Sequence, residues 1–179
     1  MLNHISPKIQ SVKENKNKKI TFRYLGNLYE DRSPIIIFKA IDFLKKKKPY
    51  LNEKIKIEFI GNFQFLSSKI KNEIKEYSHL EDVITFKKKV SYKNSLKLIR
   101  NSDVLLVIDS FSKNKNLFFP SKLVDYMTVN KTIIGITGDG ETKNFLTKIN
   151  GYIFNHHEFR KLAFFVDDII SKKKIRKIK

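Results

Sequence analysis

Apolar and polar residues alternate along this chain in two rhythms, and the two rhythms take turns. Short apolar runs occur at ITFRYLG (20–26), KIKIEFIG (54–61), DVITF (82–86), DVLLVIDS (103–110), KTIIGIT (131–137) and GYIF (151–154). Runs of this length, closed by glycine or polar turn residues, predict strands. Between them, residues 33–48, 66–80, 91–102, 121–129, 141–149 and 157–174 carry apolar positions at helical spacing. Ser33 and Pro34 read as N-cap and first helical residue, and Ser91 and Ser121 as N-caps. The run at 103–110 is apolar throughout, as in the middle of a parallel sheet.

Strand and helix alternate through short connections, which predicts an α/β fold: a Rossmann-like, three-layer domain with about six parallel strands. Right-handed crossovers put the C-terminal ends of all strands on one edge. Ligands of such sheets bind just outside that edge, near the point where strand order reverses. The domain is expected over 20–170. Residues 1–19, polar with Pro7 and many Lys and Asn, read as a linker or flexible start, and 171–179 as a basic tail.

Composition narrows the function. The 179 residues are 41% hydrophobic, enough for a core of their own. Without cysteine, disulfides and thiolate metal sites are excluded. The apolar run VLLVI (104–108) is far too short to cross a bilayer, and the first 19 residues lack the apolar stretch of a signal peptide. A cytoplasmic chain is expected.

The net charge is +19, which raises the possibility of a nucleic-acid-binding module. However, the 37 basic residues include as arginines only Arg23, Arg32, Arg100, Arg160 and Arg176. Base-reading and phosphate-clamping surfaces favour the arginine fork. Lysine runs at 45–48, 87–89 and 172–174 stand at element ends, as solvated residues would. Specific nucleic-acid binding is not expected; peripheral attraction to an anionic membrane face fits the same charge better.

The candidate chemistry lies after the strands. GNLYEDRSP (26–34) offers Gly26 for a tight turn and Arg32 beside a helix start, where free N–H groups and the helix dipole favour an anion. An ordinary turn with a surface arginine reads equally well. GNFQF (61–65) repeats glycine-asparagine with no chemistry attached, and KKKVSYK (87–93) leads into the helix capped by Ser91. In FFPSKLVDYM (118–127), Lys122 and Asp125 stand three apart and share a helix face. Aspartate in a first turn suits the dipole and lysine does not, so Lys122 reads either as a surface residue or as one kept to meet an external anion. In GDGE (138–141), Asp139 and Glu141 read first as helix caps, with a place beside a sugar as the other reading. His4, His79, His156 and His157 have no ligand spacing, and no metal site is expected.

These segments resemble a known family. FRYLGNLYEDRSP, IEFIGN, SDVLLVI, FPSKLVDYMTVNKTIIGI and GDGETKNFLTKINGYIF, in that order, look like the C-terminal domain of GT-B-fold glycosyltransferases. The style is glycosyltransferase family 4, as in bacterial capsule, O-antigen and exopolysaccharide assembly. The likeness runs over 20–170, most specifically in PSKLVDYM followed by KTIIG. It implies one half of a GT-B fold that binds a nucleotide-diphosphate sugar, with no metal or other cofactor. By that resemblance Asp125 would hold the ribose hydroxyls, and Ser121 and Lys122 would lie near the ribose or diphosphate. Arg32 would contact the diphosphate, with Gly26 and Asn27 in the turn beneath it. Val90 and Ser91 would meet the base, and Gly140, Glu141 and Thr142 the sugar or diphosphate.

The chain also departs from the pattern. Asn27 replaces a basic residue, Leu117 stands where some relatives have a glutamate, and Asn130-Lys131-Thr132 replaces Gly-Lys-Pro. Family enzymes have two Rossmann-like domains, the acceptor site belonging to the N-terminal one. The resemblance therefore implies a fragment or a split subunit, inactive alone, with a separate N-terminal half or a membrane-bound subunit as partner. Two other readings share the fold class. A nucleotide-sugar epimerase needs a second domain. A regulatory receiver would use Asp109 and Lys131, and needs an acidic pair where this chain has GNL.

Overall fold

The computed structural model describes residues 19–29, 32–110 and 119–172. The expected linker (but for Lys19), Leu117 and most of the basic tail lie outside them. The described chain forms strands β1 (Ile20–Leu25), β2 (Ile55–Gly61), β3 (Ile84–Lys88), β4 (Val104–Ile108), β5 (Thr132–Ile136) and β6 (Tyr152–Phe154). The helices are α1 (Ile35–Lys47), α2 (Leu51–Lys54), α3 (Ser68–Lys75), α4 (Tyr92–Arg100), α5 (Lys122–Met127), α6 (Glu141–Lys148) and α7 (Phe159–Lys172).

All six strands are parallel, in the order β3-β2-β1-β4-β5-β6. This is the doubly wound order of dinucleotide-binding folds, and it differs from the flavodoxin-like order a receiver would need. Strand order reverses between β1 and β4, so a crevice opens between their C-terminal ends.

Alternation along the strands builds the three layers. Phe22 and Tyr24 of β1, Ile57 and Phe59 of β2, and Leu106 and Ile108 of β4 face one way, into a core with α1, α3 and α7. Leu25, Leu105, Val107 and Ile133 face the other way, against Ile99 of α4, Leu123 and Tyr126 of α5 and Leu146 of α6. On that second face, register sets Arg23 opposite Glu58. The two form a buried ion pair, Arg23 Nε to Glu58 Oε2 at 2.6 Å. Arg23 Nη1 also donates to the carbonyls of Leu98 and Asn101, tying β1 to the end of α4.

Several boundaries differ from the sequence reading. The helix expected over 66–80 stops at Lys75, and Ser78–Leu80 form a 3₁₀ turn. Pairing with β2 draws the third strand to 84–88 rather than 82–86. The short α2 fills the interval between the helix expected over 33–48 and the strand expected over 54–61, for which no element is predicted. Ser91 caps α4, its Oγ accepting from Asn94 N at 3.4 Å. Ser33 Oγ accepts from Ile35 N at 3.3 Å, but α1 begins one residue later than expected, at Ile35, with Pro34 rather than Ser33 in the cap position. Ser121, by contrast, is not a side-chain cap. Its backbone is already helical (φ −55°, ψ −28°), and a residue in that conformation cannot turn its hydroxyl onto the first free N–H groups. The Pro120 carbonyl takes Leu123 N instead, at 2.9 Å.

Candidate functional site

The crevice between β1 and β4 has a volume of about 180 Å³. Gly26, Asn27, Tyr29 and Arg32 line it from the β1 side, and Pro120, Ser121, Lys122 and Tyr126 from the α5 side. Five of the residues singled out in the sequence, Gly26, Asn27, Arg32, Ser121 and Lys122, thus meet around one space.

The β1 loop is held by a second loop. Gly26 N donates to Ile60 O at 3.0 Å and Leu28 N to Asn62 O at 3.1 Å. Asn27 Oδ1 accepts from Asn62 N at 3.1 Å. A Cβ on Gly61 would lie 1.8 Å from Gly26 O, so only glycine lets the two loops run this close. The glycine-asparagine at 61–62, which carried no chemistry in the sequence, is the support of the Gly26–Asn27 turn.

Arg32 is 7% exposed, far from the surface arginine of the alternative reading. Its guanidinium lies over the Tyr29 ring at 4.6 Å and 3.9 Å from Asp109 Oδ1. Asp109 is buried at the end of β4, and its Oδ2 has no hydrogen-bond partner among the described residues. Burial pushes the neighbouring Tyr24 hydroxyl up to about 12, against the downward pull of Arg32, and Tyr24 stays a neutral donor to Asn27 O at 3.0 Å. His156 stands close enough to feel Asp109. Burial lowers its pKa, which outweighs the carboxylate's upward pull. The sequence offered no signal for either contact.

The start of α1 offers fewer free donors than expected. Pro34 has no N–H, Ser33 Oγ takes Ile35 N, and Pro34 O takes Ile37 N at 2.8 Å. Positive charge in the crevice comes mainly from the Arg32 and Lys122 side chains.

On α5, Lys122 Nζ donates to Asp125 Oδ2 at 2.8 Å and to Ser95 Oγ at 3.3 Å. The shared helix face was read correctly, and the ion pair explains how a lysine is tolerated in a first turn. Asp125 Oδ1 accepts from Tyr92 Oη at 3.0 Å. Tyr92 follows exposed Ser91 and half-buried Val90, so these two sit at the α4 side of the same edge.

Tyr126 anchors the crevice floor. Its hydroxyl accepts from Leu25 N at 3.2 Å and donates to Leu106 O at 3.3 Å, bridging β1 and β4 at the switch point. Burial raises its pKa strongly. Tyr126→Phe strips Leu25 N–H of this partner and is expected to cost about 1–3 kcal/mol, read by denaturant unfolding.

Gly140, Glu141 and Thr142 stand after β5 on the same edge but do not line the crevice. Gly140, at φ 155°, precedes α6; Glu141 Oε1 accepts from Asn144 at 3.4 Å; and Thr142 is wholly buried. The acidic pair does not cap α6. Gly140 takes the cap position without a side chain, and Asp139 instead pairs with Lys143 at 2.7 Å. Among the described residues, no group of three or more histidine, aspartate or glutamate side chains is placed to hold a metal ion. Likewise among them, no helix is long and apolar enough to cross a membrane.

Known structures share this fold. HepE (Alr3699) from Anabaena, solved in complex with UDP-glucose, is similar at TM-score 0.63 and 16% identity, over 87% of this chain and 40% of that one. An α,α-trehalose-phosphate synthase from Burkholderia xenovorans matches at TM-score 0.63 and 12% identity, over 85% and 36%. The C-terminal domain of a glycosyl transferase group 1 family protein (LpcC) from Francisella tularensis matches at TM-score 0.58 and 16% identity, over 84% and 75%. The chain spans about 40% of the length of the first structures it matches. No curated protein sequence matched. The model of one family covers residues 6–178, nearly the whole chain, and the chain belongs to that family, glycosyl transferases group 1.

Proposed function

We propose that this domain holds the nucleotide-diphosphate sugar donor of a glycosyltransferase. The carrying observation is the crevice at the β1/β4 switch point, where Arg32 and Lys122 converge beside the Asp125 carboxylate. The two cations suit a diphosphate, and a carboxylate with lone pairs to spare suits ribose hydroxyls. HepE, whose structure contains UDP-glucose, shares the fold and supports the reading.

As the bond from the anomeric carbon to the diphosphate breaks, negative charge grows on the departing phosphates. Arg32 and Lys122 stand preorganised to meet it, so donor binding needs no metal. Val90 and Ser91 face the base, and Gly140, Glu141 and Thr142 lie toward the sugar. At about 180 Å³ the crevice is smaller than the roughly 300–1,000 Å³ of complete ligand sites. The rest of the cleft belongs to an N-terminal half or a separate subunit, which supplies the acceptor side, and this domain alone transfers no sugar. The acceptor is a glycan or a lipid-linked glycan of a bacterial surface polysaccharide. The net charge of +19 supports a cytoplasmic domain working against an anionic membrane face.

A thermal-shift panel of UDP, GDP, ADP and their sugars, with and without Mg²⁺, tests the reading. At least one nucleotide should raise Tm without Mg²⁺. Asp125→Ala should weaken its binding about tenfold while costing only about 1 kcal/mol of stability, because the Lys122–Asp125 pair is partly exposed. Silence across the panel defeats the donor site. Equal losses of binding and stability would instead make Asp125 a helix-stabilising residue.

A further inference from the structure

We propose that Tyr92 is a binding residue for the nucleoside end of the donor: its hydroxyl aims the Asp125 carboxylate, and its ring is a platform for the base. This rests on the donor-site reading above.

Tyr92 is 63% exposed, so apolar burial does not explain its placement. Yet the side chain is held at both ends. Its hydroxyl donates to Asp125 Oδ1 at 3.0 Å, and Lys122 Nζ lies 5.2 Å from the ring centroid. Its own carbonyl accepts from Ser95 Oγ at 2.9 Å, and Ser95 Oγ in turn accepts from Lys122 Nζ. Tyr92, Ser95, Lys122 and Asp125 therefore form one bonded set that joins the first turns of α4 and α5. Only Lys122 of the four also lines the crevice, which places the set at its rim.

The set leaves Asp125 oriented rather than blocked. Oδ1 accepts once from Tyr92 and Oδ2 once from Lys122, and each oxygen keeps a lone pair. Two adjacent hydroxyls can each donate to one oxygen. A ribose held there, with its diphosphate toward Arg32, puts its base on the α4 side of the rim. The feature standing there is the solvent-facing Tyr92 ring. Flat aromatic faces accept any base by stacking, so the residue supports nucleoside binding without choosing between bases.

The test is calorimetric titration of the full chain and its Tyr92→Phe and Tyr92→Ala variants with UDP, GDP and ADP, and with inorganic pyrophosphate. Tyr92→Phe should weaken nucleoside diphosphate binding about threefold, through loss of one hydrogen bond. Tyr92→Ala should weaken it about tenfold or more, through loss of the ring as well. Pyrophosphate affinity should stay within about twofold in both, since the diphosphate end is untouched. The substituted side chain is exposed, so the variants should melt as the wild type does. Wild-type binding with unchanged affinity in both variants overturns the Tyr92 assignment alone. Equal weakening of nucleotide and pyrophosphate also overturns it, since Tyr92 would then act on the site as a whole. A wild type that binds no nucleoside diphosphate overturns the donor site itself, and this assignment with it.

Discussion

Replacing Gly61 by alanine is expected to destabilise the protein by about 3 kcal/mol or more, and to weaken nucleotide binding along with stability. The added Cβ would stand 1.8 Å from Gly26 O and 2.6 Å from Gly26 C. Both are backbone atoms of a loop held from two sides. Gly26 N is bonded to Ile60 O, and Leu28 N to Asn62 O. Neither loop can yield without breaking bonds of the other, and the loop that moves carries Asn27 and leads to Arg32. Gly135→Ala is the matched control. There the Cβ would meet the end of the flexible Leu146 side chain at 2.2 Å, which a rotamer change relieves in part. That substitution should cost roughly 1–2 kcal/mol and leave nucleotide affinity nearly unchanged. Denaturant melts of both variants, followed by titration, separate the two cases.

Glu58→Ala is expected to cost about 3–5 kcal/mol, because it strands the buried Arg23 guanidinium. Both partners are nearly sealed, at 8% and 4% side-chain exposure. Glu58 also receives Lys87 Nζ at 2.6 Å and Lys56 Nζ at 3.5 Å. Replacing both members of the pair with apolar residues, as in Arg23→Met with Glu58→Leu, should recover much of the loss.

The same pair predicts a pH dependence. Burial alone would raise the Glu58 pKa. Hydrogen bonds from Lys87 and Arg23, with the charges of Arg23 and Lys56, outweigh it and hold the carboxyl at about 2. An unfolded glutamate titrates near about 4.3. The folded pKa is the lower one, so the stabilisation is fully present above the unfolded pKa. It is lost as pH falls from about 5 toward 2. Wild type should weaken steeply over that window, and Glu58→Gln, which has no charge to lose there, less steeply. Parallel curves for the two proteins would show that Glu58 does not drive the acid transition.

The strands that were easiest to read carry the site. The unbroken apolar run of β4 and the glycine-closed runs of β1 and β2 announced a parallel sheet, and their ends placed the crevice. Ser91 was legible as a cap because capping is local. The third strand was misplaced because its register is set by β2, about 27 residues away in sequence. Ser121 was misread because its serine, lysine and aspartate fit a capped start equally well, and only the backbone angle separates the cases.

The contacts that were not legible span the fold. Tyr126 reaches Leu25 across 101 residues, and Arg32 meets Asp109 across the switch point. Asp109 suggested a receiver only while strand order was unknown; in the observed order it lies beneath a buried arginine. Asn62 had no meaning until the two loops were seen bonded to each other. Residue type and spacing indicated which side chains could bind an anion. The parallel sheet and its order decided which of them meet.

The central claim is that the β1/β4 crevice holds the donor's diphosphate and ribose. The most direct test is a crystal structure of this protein bound to the nucleoside diphosphate that stabilises it most. The diphosphate should lie between the Gly26–Asn27 turn and α5, within hydrogen-bond reach of Arg32 or Lys122, with the ribose hydroxyls on Asp125. A nucleotide bound elsewhere, such as the groove between α3 and β3 lined by Phe63, Leu66 and Phe86, with the crevice empty, would contradict it.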